Sequence, residues 1–255
     1  MKDIGKVSGM RLTESDRFSF QCSPELACFK RCCQNLNLYL YPYDALRLQH
    51  CLGISADAFL EAYVDLVLRP GNYFPDVLLR MSNDDLQTCI FSEAAGCRVY
   101  KDRPHTCRTF PVEYGLRYRG NGQPPELWGF FRPPEFCLGP NATIDWTLRT
   151  WVTDQEAVVY QEMSQKWSEV KSLFQNNPWG GEGVQGNRAK MAFMASYNMD
   201  AFRKFVFESS FLNRFRVDAG ILEEIQADDV RLMLFGFDWI KLSVWGIHVP
   251  DIRPR

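Results

Sequence analysis

All nine cysteines of this chain lie at or before residue 137, and four of them fall within the twelve residues "CSPELACFKRCC" (22–33). Such a density of thiols must be bridged, metallated or buried. Nine is an odd number, so a full disulfide pairing leaves one thiol over. The first residues, "MKDIGKVSGMRLTESD", contain no apolar h-region, so neither a signal peptide nor a membrane anchor is expected. The expected location is therefore cytoplasmic. Thiols stay reduced there, and a Cys-dense segment points to metal binding or catalysis before disulfides.

Composition narrows the function classes further. With 46% apolar and 14% aromatic residues, the chain buries a sizeable core and is not a disordered tail. A net charge of −2 and a pI near 6.0 argue against a dedicated nucleic-acid binder. The apolar stretch "VRLMLFGFDWIKLSVWGIHV" carries Asp238 and Lys241 near its middle, which favours a core helix over a membrane span.

After residue 137 the cysteines stop and Phe, Met and Trp recur at helical spacing. The expected fold is mainly α with minor β: a cysteine-cluster domain over residues 1–145, then a helical domain over 146–255. The turn "GPNATIDW" (139–146) marks the boundary. Ser23 and Pro24 can open a helix over "PELACFKRCC". "YDALRLQHCLG" reads as an amphipathic helix ended by Gly53, and Ser55 caps a helix running to Pro70. "VLLRM", "CIF", "CRVY", "PVEYGLRYRG" and "ELWGFF" read as strands, with a turn at 120–125 between the last two. Beyond 146 the expected helices cover 153–174, 187–215 (whole, or broken around Asn198) and a final pair from Ile221. The Gly-rich loop "NPWGGEGVQGN" matches no nucleotide fingerprint. The aromatic and Met stripe from Met191 to Phe215 reads as core, with a partner groove as the alternative.

Cys28 and Cys32, four apart, would share one face of a helix, about 5–6 Å apart at Cβ. Cys33 would point about 100° away from Cys32, so the two adjacent thiols need not serve the same ion. Cys22 can fold back over the helix. Cys89, Cys97 and Cys107 are separated by seven and nine residues, too far for a zinc knuckle but suited to loops and strand ends. Arg98, Lys101, Arg103 and Arg108 would stabilise thiolates at Cys97 and Cys107. Cys137 sits in a Pro- and Gly-stiffened loop and reads as a ligand; Cys51 reads as a buried thiol. His105 reads as a supporting or surface residue. No Ser-His-Asp arrangement can be picked out.

"CFKRCC", "LYPYDALRLQHCLGISADAFLEAY" and "GCRVYKDRPHTCRTFPVEYG" together resemble the YkgJ-type cysteine-cluster proteins, described as zinc- or iron-chelating domains. The family's second signature, Cys then G-C-x-V/I-Y-x-x-R-P-x-x-C-R-x-F/Y-P, is filled here by Cys89, Cys97, Arg103, Pro104, Cys107, Arg108 and Pro111. The likeness runs over roughly residues 20–140. It implies a metal or iron–sulfur site, and it is the main reason to count Cys33 as a ligand.

The expected metal ligands are thus Cys22, Cys28, Cys32, Cys33, Cys89, Cys97, Cys107 and Cys137. All-thiolate donors suit an iron–sulfur cluster, 4Fe–4S first, or a zinc or iron ion. Eight ligands exceed one four-ligand site, so two sites, or one site plus spectator thiols, are both open. Three functional readings follow: a redox or electron-transfer protein, a structural zinc module presenting the helical region to a protein partner, and an enzyme similar to the flagellin lysine methylases. The last is the resemblance's implication; no S-adenosylmethionine fingerprint accompanies it. No catalytic residue is assigned, and neither a nucleic-acid nor a membrane partner is expected.

Overall fold

A computed structural model describes residues 9–13, 15–117 and 126–255. It is 47% helix and 16% strand, so the fold is mainly α with minor β. In chain order the first elements are strands β1 (Met10–Leu12) and β2 (Phe18–Ser19), helices α1 (Pro42–Leu52) and α2 (Ala56–Tyr63), and strands β3 (Val64–Val67) and β4 (Asp76–Leu79). Next come β5 (Ser92–Glu93), β6 (Gly96–Cys97), α3 (His105–Thr109), β7 (Val112–Arg117), β8 (Glu126–Phe131) and β9 (Asp145–Trp146). The remainder is α4 (Leu148–Asp154), α5 (Val158–Leu173), α6 (Asn187–Tyr197), α7 (Met199–Glu208), α8 (Phe211–Arg214), β10 (Phe215–Arg216), α9 (Ala219–Ala227), α10 (Asp229–Trp245) and β11 (Arg253–Pro254).

The chain forms two compact units that interleave in sequence. One comprises Met1–Leu36 and Met81–Glu162; the other comprises Asn37–Arg80 and Met163–Arg255. Residues 37–80 therefore group with the C-terminal helices, where the sequence suggested one boundary near residue 145.

The first unit is built on the antiparallel sheet β1-β8-β7, in which Val112 and Met10 both pair with Phe131. Leu12, Phe18, Phe20, Val112 and Trp151 bury against this sheet, with Cys137 packed at their edge. Trp151 donates its indole N–H to the Thr109 carbonyl at 2.9 Å, and Trp146 donates to Phe20 at 2.8 Å. These bonds satisfy the polar edge of each ring inside an apolar cluster. The turn expected at 120–125 lies outside the described residues.

The second unit packs α10 against α6, with α1, α7 and α9 around them. Leu232, Met233 and Ile240 of α10 are fully buried, as are Phe202 and Val206 of α7. Asn198 ends α6 and caps α7 by accepting from Ala201 N–H at 2.9 Å, so the 187–208 stretch is two helices. Gly53 and Gly246 close α1 and α10 in the left-handed conformation.

Two local expectations are corrected. Residues 24–33 are not an α-helix but successive turns ending in a short 3-10 helix at Arg31–Cys33. Lys30 adopts φ 64°, which interrupts any α-helical run. The helix begun at Ser55 stops at Tyr63, and Val64–Val67 pair antiparallel with Asp76–Leu79 instead. β-branched Val64 and Val67 favour that extended run.

The tightest helix contact lies at Gly236, where an added Cβ would sit 2.0 Å from the Ala195 carbonyl oxygen. Backbone cannot yield as a flexible side chain can. Gly236→Ala is expected to cost about 3 kcal/mol in urea unfolding, as overpacking does; parent-like stability would show that α6 and α10 can part without penalty.

Candidate metal centre

The cysteine run is shaped by backbone turns. Phe29 N–H donates to Leu26 O at 2.8 Å, Arg31 to Cys28 O at 3.0 Å and Cys33 to Lys30 O at 2.9 Å. The shared helical face expected for Cys28 and Cys32 therefore does not form. At the turn, Lys30 reaches the β5–β6 hairpin, donating from Nζ to the carbonyls of Glu93 (2.8 Å) and Ala94 (3.3 Å). This lysine fastens the first cysteine group to the second, a role its sequence context did not signal.

Main-chain bonds sort the thiols into two sets. In the first, Gln21 N–H donates to Gly139 O at 3.1 Å, bringing the Cys22 segment to the Cys137 loop. Leu138 N–H donates to Cys28 Sγ at 3.3 Å, and Cys28 raises the Cys137 thiol. Gly139 permits this approach, because a Cβ there would lie 2.3 Å from the Phe20 ring. In the second set, Cys89 N–H donates to Cys33 O at 2.7 Å, Ser92 N–H to Cys89 O at 2.8 Å, and Ser92 pairs with Cys97 across the hairpin.

Cys32 and Cys33 are coupled to each other, and their wider influences overlap: Cys32 is raised by Cys22, Cys107 and Cys137, while Cys33 acts on Cys89, Cys97 and Cys22. Cys28 is buried, Cys22 is exposed, and the other six of these thiols are partly buried. Cys51 lies on α1 in the second unit and is exposed, not buried as expected.

Burial first, and then neighbouring thiols, hold Cys22 above the ordinary thiol range. Burial raises Cys97 and Cys137 too, and pushes Cys89 up to about 11. The side-chain interaction with Cys33 lowers Cys32; the same interaction, then burial, raises Cys33. Opposing these costs, the main chain at Phe91, Val99 and Gly139 lowers Cys89, Cys97 and Cys137 respectively. Main-chain hydrogen bonds of this kind favour thiolate over thiol and stabilise metal-bound sulfur. The donor set thus fits a thiolate-bound metal. Among the described residues, however, no three Cys, His, Asp or Glu side chains converge as a single-ion site.

The signature arginines have a structural task beside the electrostatic one: Arg103 favours thiolate at Cys97, as expected, and is coupled to Cys107 as well. Arg108 is 2% exposed and donates to the carbonyls of Gln155 (2.7 Å) and Lys101, with Tyr160 beneath it at 4.3 Å. Arg103 donates to Tyr100 O at 2.6 Å and Gln155 Oε1 at 2.8 Å. Both forks tie the Cys97–Cys107 loop to the α4–α5 junction. Of the four basic residues expected to neutralise thiolates, only Arg103 weighs on Cys97, and burial outweighs it. Arg98 lies over the Phe91 ring. His105 is buried rather than on the surface, stacks on Tyr114 at 5.9 Å, and is pushed down to about 4 by burial and then Arg108.

If the fork geometry of Arg108 is what counts, Arg108→Lys keeps the charge but should lose about 2–3 kcal/mol in chemical denaturation of the metal-free chain. Stability equal to the parent's would return the residue to a purely electrostatic role.

Neither a curated protein nor a solved structure matches the chain significantly. Residues 21–137 match the CxxCxxCC family, described as a putative zinc- or iron-chelating domain. The matched segment runs from the residue before Cys22 to Cys137, spanning both thiol sets and the loop their arginines hold. Residues 21–137 are thus similar to the CxxCxxCC family, the cysteine-cluster family that the sequence resembles.

Proposed function

We propose that this domain holds an iron–sulfur cluster, 4Fe–4S first, and that the protein is a cytoplasmic redox or electron-transfer protein. The observation that carries this reading is the pairing of spread thiols with main-chain groups that favour thiolate. Tetrahedral zinc at ordinary bond lengths draws its four sulfurs to about 3.8 Å of one another. Here two thiol pairs are coupled electrostatically, Cys28 with Cys137 and Cys32 with Cys33, and among the described residues no three ligand side chains group as a single-ion site. Spread thiols suit a larger inorganic core whose corners each take one sulfur.

When bound, such a cluster supplies one-electron transfer. The residues that would hold it come from Cys28, Cys137, Cys22, Cys32 and Cys107 on one side and Cys33, Cys89 and Cys97 on the other. The chain's own contribution is electrostatic: the Leu138 N–H and the main chain at Phe91, Val99 and Gly139 stabilise negative sulfur, and partial burial limits water access. The two coupled pairs favour a second reading, a structural zinc module, because each pair supplies two of the four sulfurs of a zinc tetrahedron.

Single serine replacements separate the ligands from spectators. In protein isolated without oxygen, Cys28→Ser, Cys33→Ser, Cys89→Ser and Cys97→Ser should each lose most of the visible chromophore and melt at a lower temperature. Cys51→Ser should match the parent. Unchanged metal content in all four would refute the ligand set, and a colourless parent retaining zinc would select the second reading.

A further inference from the structure

The segments "FLNRFR" (211–216) and "DIRPR" (251–255) meet in the second unit as a short antiparallel ribbon. Arg216 opposes Arg253, Phe215 opposes Pro254, and Arg255 N–H extends the pairing to Arg214 O at 3.0 Å. Opposed residues share a face, so Arg216 and Arg253 stand side by side while Phe215 points to the other face. Like charges placed this way repel. Among the described residues, Arg214, Arg216, Arg253 and Arg255 form no ion pair within 4 Å.

Behind the ribbon is a cavity of about 320 Å³. Its walls include Phe205, Phe211, Phe215 and Trp239, with ring centroids 4.9 Å apart for Phe215–Trp239 and 5.1 Å for Phe211–Trp239. Arg188 and Arg214 also line it, and among the described residues no acidic one does. Arg188 is held by the carbonyls of Pro178 (3.0 Å) and Val244 (3.1 Å), which fix the guanidinium without cancelling its charge. Cavities of this size and apolar character, with a few fixed polar groups, are where small ligands bind. Guanidinium forks select carboxylate and phosphate oxygens.

We propose that this cavity binds a small apolar anion, an aromatic ring or short acyl chain bearing one carboxylate or phosphate. The ring or chain packs on the partly exposed rings of Phe205 and Phe215, with buried Phe211 and Trp239 beneath them, and the head meets Arg188 and Arg214. Arg216, Arg253 and Arg255 supply the positive field that draws the anion in. The site is independent of the metal reading.

The test titrates the full chain with 4-phenylbutyrate, phenyl phosphate and neutral 4-phenylbutanol, followed by tryptophan fluorescence and calorimetry. At least one of the anions should saturate, and the alcohol should bind at least about tenfold more weakly. Whichever anion binds identifies the head group. Arg214→Gln should weaken that anion by about tenfold without lowering the melting temperature. Ser243→Trp, which fills the cavity, should abolish binding; if it fails to fold, Arg214→Gln alone decides. Equal binding of acid and alcohol, unaltered affinity in Arg214→Gln, or binding of a single-stranded oligonucleotide with no saturation by either small anion would overturn the proposal.

Discussion

Eight thiols gathered in one small unit are under an electrostatic constraint. Each sulfur that ionises makes the next ionisation harder, and partial burial adds to that cost. The result is visible in Cys22, Cys89, Cys97 and Cys137, all held above the ordinary thiol range by desolvation and by one another. A bound metal reverses the sign of this effect, since it requires thiolates and neutralises them. The arrangement is therefore costly as bare thiolates and favourable once metallated, and much of the local architecture serves to hold the sulfurs together regardless.

That holding is done by groups that are not ligands. Arg108 and Arg103 fasten the Cys97–Cys107 loop to the α4–α5 junction through carbonyls and Gln155. Lys30 joins the first cysteine run to the β5–β6 hairpin. Gly139 lets the Phe20 ring sit on the backbone next to Cys137. A charged side chain buried at Arg108 is tolerable because its donors meet fixed carbonyl dipoles and an aromatic face, not because it neutralises sulfur. The signature residues of the family are thus intelligible here as scaffold as much as chemistry.

Much of this was legible in the residues. Helical periodicity and caps located α1, the start of α2 and the C-terminal helices, because those signals are local; the break at Asn198 was one of two options the sequence left open. The ligand candidates were legible as a thiol count and spacing. The α-helix expected over 24–33 was not realised: no glycine or asparagine announces the left-handed turn at Lys30, and propensity alone favours helix there. The electrostatic surroundings of Cys32 and Cys33 include residues more than fifty positions away, Cys107 and Cys137 for Cys32 and Cys89 and Cys97 for Cys33. The grouping of residues 37–80 with the C-terminal helices is likewise a matter of long-range packing, which one sequence does not display. The charge of Arg103 was legible and does act on Cys97; the mechanical task of the arginines was not, because it depends on carbonyl oxygens of Gln155, about fifty residues away.

The central claim is that these thiols bind iron and sulfide rather than a lone ion. The most direct measurement is joint quantification of iron, acid-labile sulfide and zinc in protein purified without oxygen, with electron-paramagnetic-resonance spectra before and after reduction. The account predicts iron and sulfide in equal amounts and a paramagnetic signal that changes with reduction. Zinc without sulfide, in colourless protein, would contradict it.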